Sequence, residues 1–124
     1  MTELEIMNVL IVEDNMMTSV HLEHIISQIG EHNVIGLADC VPAAREILQS
    51  NKISLVFLDI NLEGEIDGIE YSKELTNQGI PFVYISAYSD QDILDKAIKT
   101  NPLGFVKKPY RTLEVLSAIK LAQK

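Results

Sequence analysis

The feature that most constrains the fold of this chain is an alternation of two sequence textures. Five short apolar runs rich in Val, Ile and Phe recur along the chain, and segments with helical periodicity separate them. The runs are too short for helices and too uniformly apolar for strands with one wetted face, so they predict strands buried on both sides, as in a parallel sheet. The five predicted strands are Ile6–Val12, Val34–Ala38, Leu55–Leu58, Phe82–Ile85 and Phe105–Val106.

The intervening segments carry apolar stripes that predict five helices. In the first, Leu22, Ile25, Ile26 and Ile29 follow the i, i+3, i+4, i+7 spacing, and Gly30 is the predicted end. The second helix is predicted to follow Pro42, and the third to run from near Gly68 to just before Gly79. The fourth is predicted to begin with Ser89 as its cap, and the fifth with Thr112 as its cap.

A strand followed by a helix, five times over, predicts an α/β fold. The expected architecture is a doubly wound parallel sheet with helices on both faces and right-handed crossovers. The 124 residues fit one domain, 1–124. Sheets of this kind bind their ligands outside the carboxyl ends of the strands, so the residues that follow each strand decide the function.

Charge and cysteine content narrow the function classes. With 10 basic and 18 acidic side chains, the net charge of −8 argues against a nucleic-acid or anionic-membrane partner. Cys40 stands alone, so no internal disulfide can form, and this favours a cytoplasmic location. The acidic start Met1–Glu5 does not resemble a signal peptide, and no apolar run approaches the ~18 residues of a membrane span.

Polar groups with a shared chemistry follow four of the five predicted strands. They are Glu13 and Asp14, then Asp59 and Asn61, then Ser86, and finally Lys108. Three clustered carboxylates repel one another unless a cation joins them, and a hard divalent ion such as Mg²⁺ prefers oxygen ligands. A central carboxylate can act as a nucleophile toward phosphorus while the metal and the lysine stabilise the transferring group.

These residues resemble the receiver domain of bacterial two-component response regulators. The resemblance extends from Val9 to Lys120 and implies the flavodoxin-like five-stranded sheet, (βα)5, with strand order 2-1-3-4-5. The four matching motifs occur in the order Val9–Asp14, Leu58–Asn61, Ser86–Ala87 and Gly104–Pro109.

The resemblance assigns roles to the acidic residues. In receivers the strand-3 aspartate takes a phosphoryl group from a histidine kinase, which makes Asp59 the expected phosphoacceptor. Asp14 and Asp59 are the expected carboxylate ligands of Mg²⁺, Glu13 assists, and the backbone carbonyl of Asn61 supplies a further ligand. The chain itself is not expected to be an enzyme beyond catalysing its own phosphoryl transfer and dephosphorylation.

The resemblance also implies a switch. Ser86 is the expected switch hydroxyl, Phe105 the switch aromatic and Lys108 the phosphate-contacting lysine, and the Lys108–Pro109 bond is expected to be cis. Glu63 stands where the family usually has proline, in a loop one residue longer than the common form. The surface of the fourth helix, fifth strand and fifth helix is expected to contact a downstream protein or a fused output domain. The expected donor is a sensor histidine kinase or a phosphotransfer protein.

Three alternative functions require residues different from these. A phosphorylation-independent interaction module of the same fold would be expected if the acceptor, metal or lysine positions were missing. A phosphohydrolase with an aspartyl nucleophile usually carries Asp-x-Asp, but here the second position is Asn61, which cannot donate a proton as an acid. An FMN binder needs a hydroxyl- and Gly-rich loop after the first strand, where this chain has Glu13–Met17.

Four further residues have notable chemistry. His21 and His24 lie three apart on the first predicted helix but have no third metal ligand nearby in sequence, so we expect a solvated helix face. We expect Cys40 to be a partly buried thiol at the start of the second helix. Tyr88 is expected to shield the acceptor site from water.

Overall fold

The computed structural model describes residues 5–62, 64–87 and 90–123. Five strands and five helices alternate along this part of the chain, as the sequence predicts. The strands are β1 (Asn8–Val12), β2 (Asn33–Ala38), β3 (Leu55–Asp59), β4 (Phe82–Ser86) and β5 (Phe105–Lys107). The helices are α1 (Met16–Ile29), α2 (Val41–Ser50), α3 (Gly68–Asn77), α4 (Gln91–Ile98) and α5 (Thr112–Ala122).

The strands form one parallel sheet in the order β2-β1-β3-β4-β5. This is the predicted doubly wound flavodoxin-like order, so the fold prediction is confirmed. In this order the carboxyl ends of β1 and β3 are neighbours, and β4 and β5 follow on one side. The residues after those four strands therefore meet at one edge of the sheet.

Each face of the sheet carries its own hydrophobic core, because successive strand residues point to opposite faces. Val9 and Ile11 point to the face covered by α1 and α5, while Leu10 and Val12 point to the face of α2, α3 and α4. These four strand residues have no exposed surface. Full burial of an aliphatic side chain stabilises the fold by ~1.5–3 kcal/mol, so β1 is strongly held from both sides.

The two edge strands depart from the prediction of burial on both sides. Strands β1, β3 and β4 are buried almost throughout, but β2 has exposed residues along its length and β5 is exposed at both of its ends. The prediction was wrong for β2 and β5 because an edge strand is covered less completely than a central one. Strand β2 also carries an irregularity opposite Val9 and Leu10, where Ile35 has no partner in the register.

Helix ends agree with the sequence in most places. Gly30 follows α1, Pro42 lies in the first turn of α2, and α3 begins at Gly68 and ends before Gly79. The α4 cap is Asp90 rather than Ser89, since the Asp90 carboxylate accepts from the backbone N–H groups of its own first turn.

Helix α5 begins one residue earlier than its predicted cap implies. Thr112 is its first helical residue, and Arg111 occupies the cap position without a side-chain cap bond. The Lys108–Pro109 bond that precedes it is cis, as expected. Among the described helices, none has both the length and the apolar character needed to cross a membrane.

Candidate functional site

Three carboxylates meet where β1 and β3 end. Carboxylate oxygens of Glu13, Asp14 and Asp59 all lie within 4.8 Å of one another. Asp59 is the last residue of β3, and Glu13 and Asp14 directly follow β1, so the pairing of β1 with β3 brings them together. Glu13 and Asp59 are 2% and 5% exposed, whereas Asp14 is exposed. The cluster therefore has a buried floor and one side open to solvent.

Lys108 supplies positive charge to this cluster. Its Nζ forms an ion pair with Glu13 Oε1 and lies 3.4 Å from Asp59 Oδ2. Lys108 follows β5, which is separated from β3 by β4, so its side chain reaches across the end of the sheet. One ammonium group faces three carboxyl groups, and the cluster keeps an excess of negative charge whenever those groups are ionised.

Backbone hydrogen bonds orient the two buried carboxylates. The Asn15 N–H donates to Glu13 Oε2 at 3.0 Å, and the Asn61 N–H donates to Asp59 Oδ1 at 3.0 Å. The buried Ser19 hydroxyl donates to the Glu13 carbonyl at 3.4 Å and ties α1 to the end of β1. Each acid is therefore held by the loop that follows it, and the second Asp59 oxygen faces Lys108.

The surroundings of the Asp14 carboxyl group disfavour its ionised form. Its side-chain hydrogen bond with Glu13, followed by partial burial and the Glu13 charge, raises the pKa of Asp14. A bound cation relieves this kind of repulsion. The donor set consists of hard oxygen ligands with one open side, which fits Mg²⁺, an ion that binds one or two carboxylates and keeps several waters.

Gly68 is a site residue that sequence reasoning missed. A Cβ atom at position 68 would lie 2.0 Å from the Asp59 carbonyl oxygen and 3.0 Å from Ile60 Cα. The Gly68 N–H also donates to the Ile60 carbonyl at 3.3 Å. Only a glycine lets the start of α3 lie this close to the chain that carries Asp59. The sequence marked Gly68 as a helix start, and nothing in it indicated the close approach.

Tyr110 is a second residue that the sequence reasoning passed over. It is 9% exposed, and its hydroxyl has no hydrogen-bond partner among the described residues. Burial, followed by the charges of Glu13 and Asp59, raises the pKa of Tyr110. Its ring lies 5.5 Å from the His21 ring, so it packs the segment after Lys108 against α1. Its position two residues after Lys108 was the available sequence signal.

The predicted switch residues lie on β4 and β5, beside the acidic cluster. Ser86 ends β4 and pairs in register with Lys107, while Tyr84 pairs with Phe105. The side chain of Phe105 is 38% exposed. A cavity of about 210 Å³ lies between α4 and β5, and Ser86, Ile93, Leu94 and Phe105 are among the residues that line it.

The other sequence predictions have mixed outcomes. His21 and His24 are exposed, as expected for a solvated helix face. Cys40 is partly buried at the cap position of α2, as expected, and makes no side-chain cap bond. Glu63, Tyr88 and Ser89 lie outside the described residues. The metal, acceptor and switch roles of the individual residues stay predictions.

Relatives of known name match nearly all of this chain. It is 33% identical over 120 residues to the sensory transduction protein LytT of Bacillus anthracis, covering 95% of this chain and 48% of LytT. It is 33% identical over 105 residues to the transcriptional regulatory protein MalR of Bacillus subtilis, covering 83% of this chain and 44% of MalR. The chain spans about half the length of these relatives.

Solved structures and a family profile point the same way. The signal receiver domain of a modulated diguanylate cyclase from Desulfovibrio desulfuricans matches with a TM-score of 0.87 and 26% identity, covering 95% of this chain and 94% of that one. The receiver domain of NtrX from Brucella abortus matches with a TM-score of 0.83 and 25% identity, covering 94% and 98%. The profile described as the response regulator receiver domain matches residues 9–120. This chain therefore belongs to the response regulator receiver domain family of two-component signalling.

Proposed function

We propose that this receiver domain is a phosphoacceptor: Asp59 takes a phosphoryl group from the phosphohistidine of a sensor histidine kinase or a phosphotransfer protein. The observation that carries the proposal is the position of Asp59, which is buried in a cluster with the carboxylates of Glu13 and Asp14 and lies 3.4 Å from the ammonium group of Lys108. A carboxylate in that position has an attacking oxygen, a charge-stabilising ammonium group and an acidic metal site around it.

The transfer exchanges one bond to phosphorus for another. An oxygen of the Asp59 carboxylate attacks phosphorus, the P–N bond to the donor imidazole breaks, and its electron pair returns to the ring nitrogen. The product is an acyl phosphate on Asp59. Lys108 Nζ, which lies 3.4 Å from Asp59 Oδ2, is within reach of a phosphoryl oxygen on that side and stabilises its charge.

The metal ligands that we propose are those that the resemblance to receiver domains implies, and the clustering of the three carboxylates supports them. Asp14, Asp59 and the Asn61 carbonyl would hold Mg²⁺, with Glu13 assisting. When bound, Mg²⁺ neutralises the charge that otherwise opposes the approach of an anionic phosphoryl group to three carboxylates. The Glu13–Lys108 ion pair keeps Glu13 turned toward the inner side of the cluster and leaves the exposed Asp14 facing the open side.

The proposed output is a change on the α4–β5–α5 surface. A phosphoryl group on Asp59 attracts the Ser86 hydroxyl as a donor, and this shift favours a Phe105 side chain turned into the cavity between α4 and β5. The scheme is a shift between two pre-existing states, with differential contacts typically worth ~1–3 kcal/mol. A downstream protein or a fused output domain then recognises the altered surface.

The test is direct phosphorylation. Incubation with Mg²⁺ and acetyl phosphate should add one phosphoryl group to the wild type, seen by intact mass spectrometry as an acid-stable and base-labile adduct. Asp59→Asn should gain none, whereas Asp95→Asn, which changes an exposed aspartate on α4, should gain one as the wild type does. Addition of EDTA should stop the reaction. Equal phosphorylation of Asp59→Asn would refute the assignment, and a wild type that gains no phosphate would favour the phosphorylation-independent interaction module.

A further inference from the structure

Tyr84 is a buried polar residue that the acceptor chemistry does not use. It lies in the middle of β4, has no exposed surface, and carries its hydroxyl into the layer of α3 and α4. Its Oη lies 2.6 Å from Thr100 Oγ1, just beyond the end of α4. Sequence periodicity indicated only a buried strand residue at this position.

The proton count favours one direction for this hydrogen bond. The Thr100 hydroxyl has a single proton, which it donates to the Ala97 carbonyl at 2.6 Å. An arrangement in which Thr100 donates to Ala97 and the Tyr84 O–H donates to Thr100 Oγ1 satisfies both hydroxyls, and the Ser72 side chain is a second hydrogen-bond partner of Tyr84. Burial raises the pKa of Tyr84, so the phenol keeps this proton at neutral pH. A relay of two hydrogen bonds thus runs from the centre of β4 to the last turn of α4.

Tyr84 also contacts the switch aromatic directly. The Tyr84 and Phe105 rings lie 5.6 Å apart at an interplanar angle of 31°, because the two residues pair in register on adjacent strands. The Tyr84 N–H donates to the Gly104 carbonyl at 3.1 Å. One residue therefore contacts the segment 100–105 at three points: its start through the hydroxyl, residue 104 through the backbone, and residue 105 through the ring.

Tyr84 is more firmly packed than Phe105 and α4, the two elements that it contacts. The Tyr84 ring is fully enclosed, while Phe105 is 38% exposed and borders the cavity that Ser86 also lines. Helix α4 has one fully buried residue, Ala97, and the partly buried Ile93 packs against the same core. The hydrogen bond from Tyr84 is therefore one of the contacts that hold the segment after α4 on the sheet, beside the Leu103 N–H, which donates to the Phe82 carbonyl at 2.9 Å.

We propose that Tyr84 is a positioning residue that couples the orientation of Phe105 to the position of the C-terminal end of α4. When Phe105 turns toward Ser86, its ring leaves the present contact with Tyr84, and the segment anchored by Thr100 adjusts with it. This inference rests on the proposed function, since occupancy of Asp59 is what drives Phe105. It adds a route from β5 to α4 that the Ser86 hydroxyl alone does not supply.

The experiment compares amide shifts caused by beryllofluoride, which stands in for the phosphoryl group on Asp59, in the presence of Mg²⁺. Two sets of amides are followed by NMR, 60–61 beside the acceptor and 97–104 at the end of α4, and the second shift is divided by the first. In Tyr84→Phe and in Thr100→Val this ratio should fall to half or less of the wild-type value. Thr100→Ser, which keeps the hydroxyl, should retain the wild-type ratio.

Tyr71→Phe is the matched control, because Tyr71 is also fully buried and its hydroxyl has no hydrogen-bond partner among the described residues. It should retain the wild-type ratio. A full response at 97–104 in Tyr84→Phe would overturn the inference, and so would loss of the shifts at both sets of amides, which indicates general damage. If amides 60–61 of the wild type do not respond at all, the proposed function fails rather than this coupling.

Discussion

The two halves of the functional edge are built differently. The acceptor side, formed by the ends of β1 and β3 with Lys108, has its two inner carboxylates 2% and 5% exposed and held by backbone N–H groups. The output side, formed by β4, β5 and α4, has a Phe105 side chain 38% exposed and a cavity of about 210 Å³ next to it.

The difference matches what the proposed function requires of each side. Stabilising charge on a transferring group needs donors and cations that are already in place, since reorganisation at the moment of reaction raises the barrier. Switching needs two arrangements of similar free energy, and a close-packed region seldom offers a second one. Under the proposed function, tight packing at Asp59 and free space at Phe105 are therefore complementary.

The largest expected effect is a difference in stability between two glycine substitutions, one on each side. Gly68→Ala places a methyl group against the Asp59 carbonyl and should destabilise the fold by about 3 kcal/mol, the upper end of the usual cost of overpacking. Gly104→Ala is the control, because a Cβ there meets nothing within 4 Å, and it should change stability by less than ~0.5 kcal/mol. Urea denaturation of both variants measures the difference. Equal free energies of unfolding would show that the acceptor side is not the tighter one.

Sequence periodicity predicted the parallel sheet, strand-end chemistry predicted the cluster of Glu13, Asp14, Asp59 and Lys108, and the resemblance to receiver domains supplied the strand order. These succeed because strand ends carry their residues to one edge whatever the details of packing. Gly68 could not be found this way, because its role depends on how closely the start of α3 approaches the Asp59 carbonyl. No sequence pattern reports that distance. Tyr84 was missed for a related reason: a buried tyrosine and a buried isoleucine have the same periodicity, and only the structure supplies the partner of the hydroxyl.

Substitution of Ser86 should weaken the response of the output side and leave the chemistry of the acceptor side unchanged. Ser86→Ala leaves Asp59 and Lys108 unchanged, so phosphorylation should proceed, but the donor that links the phosphoryl group to β4 is lost. Beryllofluoride should then shift amides 60–61 fully and those of α4 and β5 by less than half the wild-type amount, in line with a coupling of ~1–3 kcal/mol. NMR shifts of both regions measure this. An undiminished shift of α4 and β5 would mean that another group makes the link.

Metal affinity tests whether Asp14 binds Mg²⁺ directly while Glu13 only assists. Asp14 is exposed and Glu13 is paired with Lys108, so Asp14→Asn should raise the Kd for Mg²⁺ about tenfold, or ~1.4 kcal/mol, and Glu13→Gln should raise it less. Titration of Mg²⁺ followed by NMR shifts gives both constants. The same affinity in Asp14→Asn and wild type would contradict the proposed ligand set.

The smallest effect concerns the opposite end of β1, where His32 Nδ1 accepts the Met7 N–H at 3.0 Å. A backbone N–H can only donate, so this bond requires an unprotonated Nδ1. Burial lowers the pKa of His32 below its ordinary 6.5. The folded state thus binds a proton less readily than the unfolded chain, and this contribution to stability is complete above about pH 6.5 and declines as the pH falls through the folded pKa. In His32→Asn the amide oxygen can accept the same bond without titrating, so between pH 7.5 and 5.5 this variant should lose less stability in urea denaturation than the wild type. Because every other ionisable group is the same in both proteins, the difference between the two curves isolates His32. Parallel curves would show that the amino end of β1 does not depend on this imidazole, and that the rigidity of the acceptor side arises at the carboxyl ends of the strands alone.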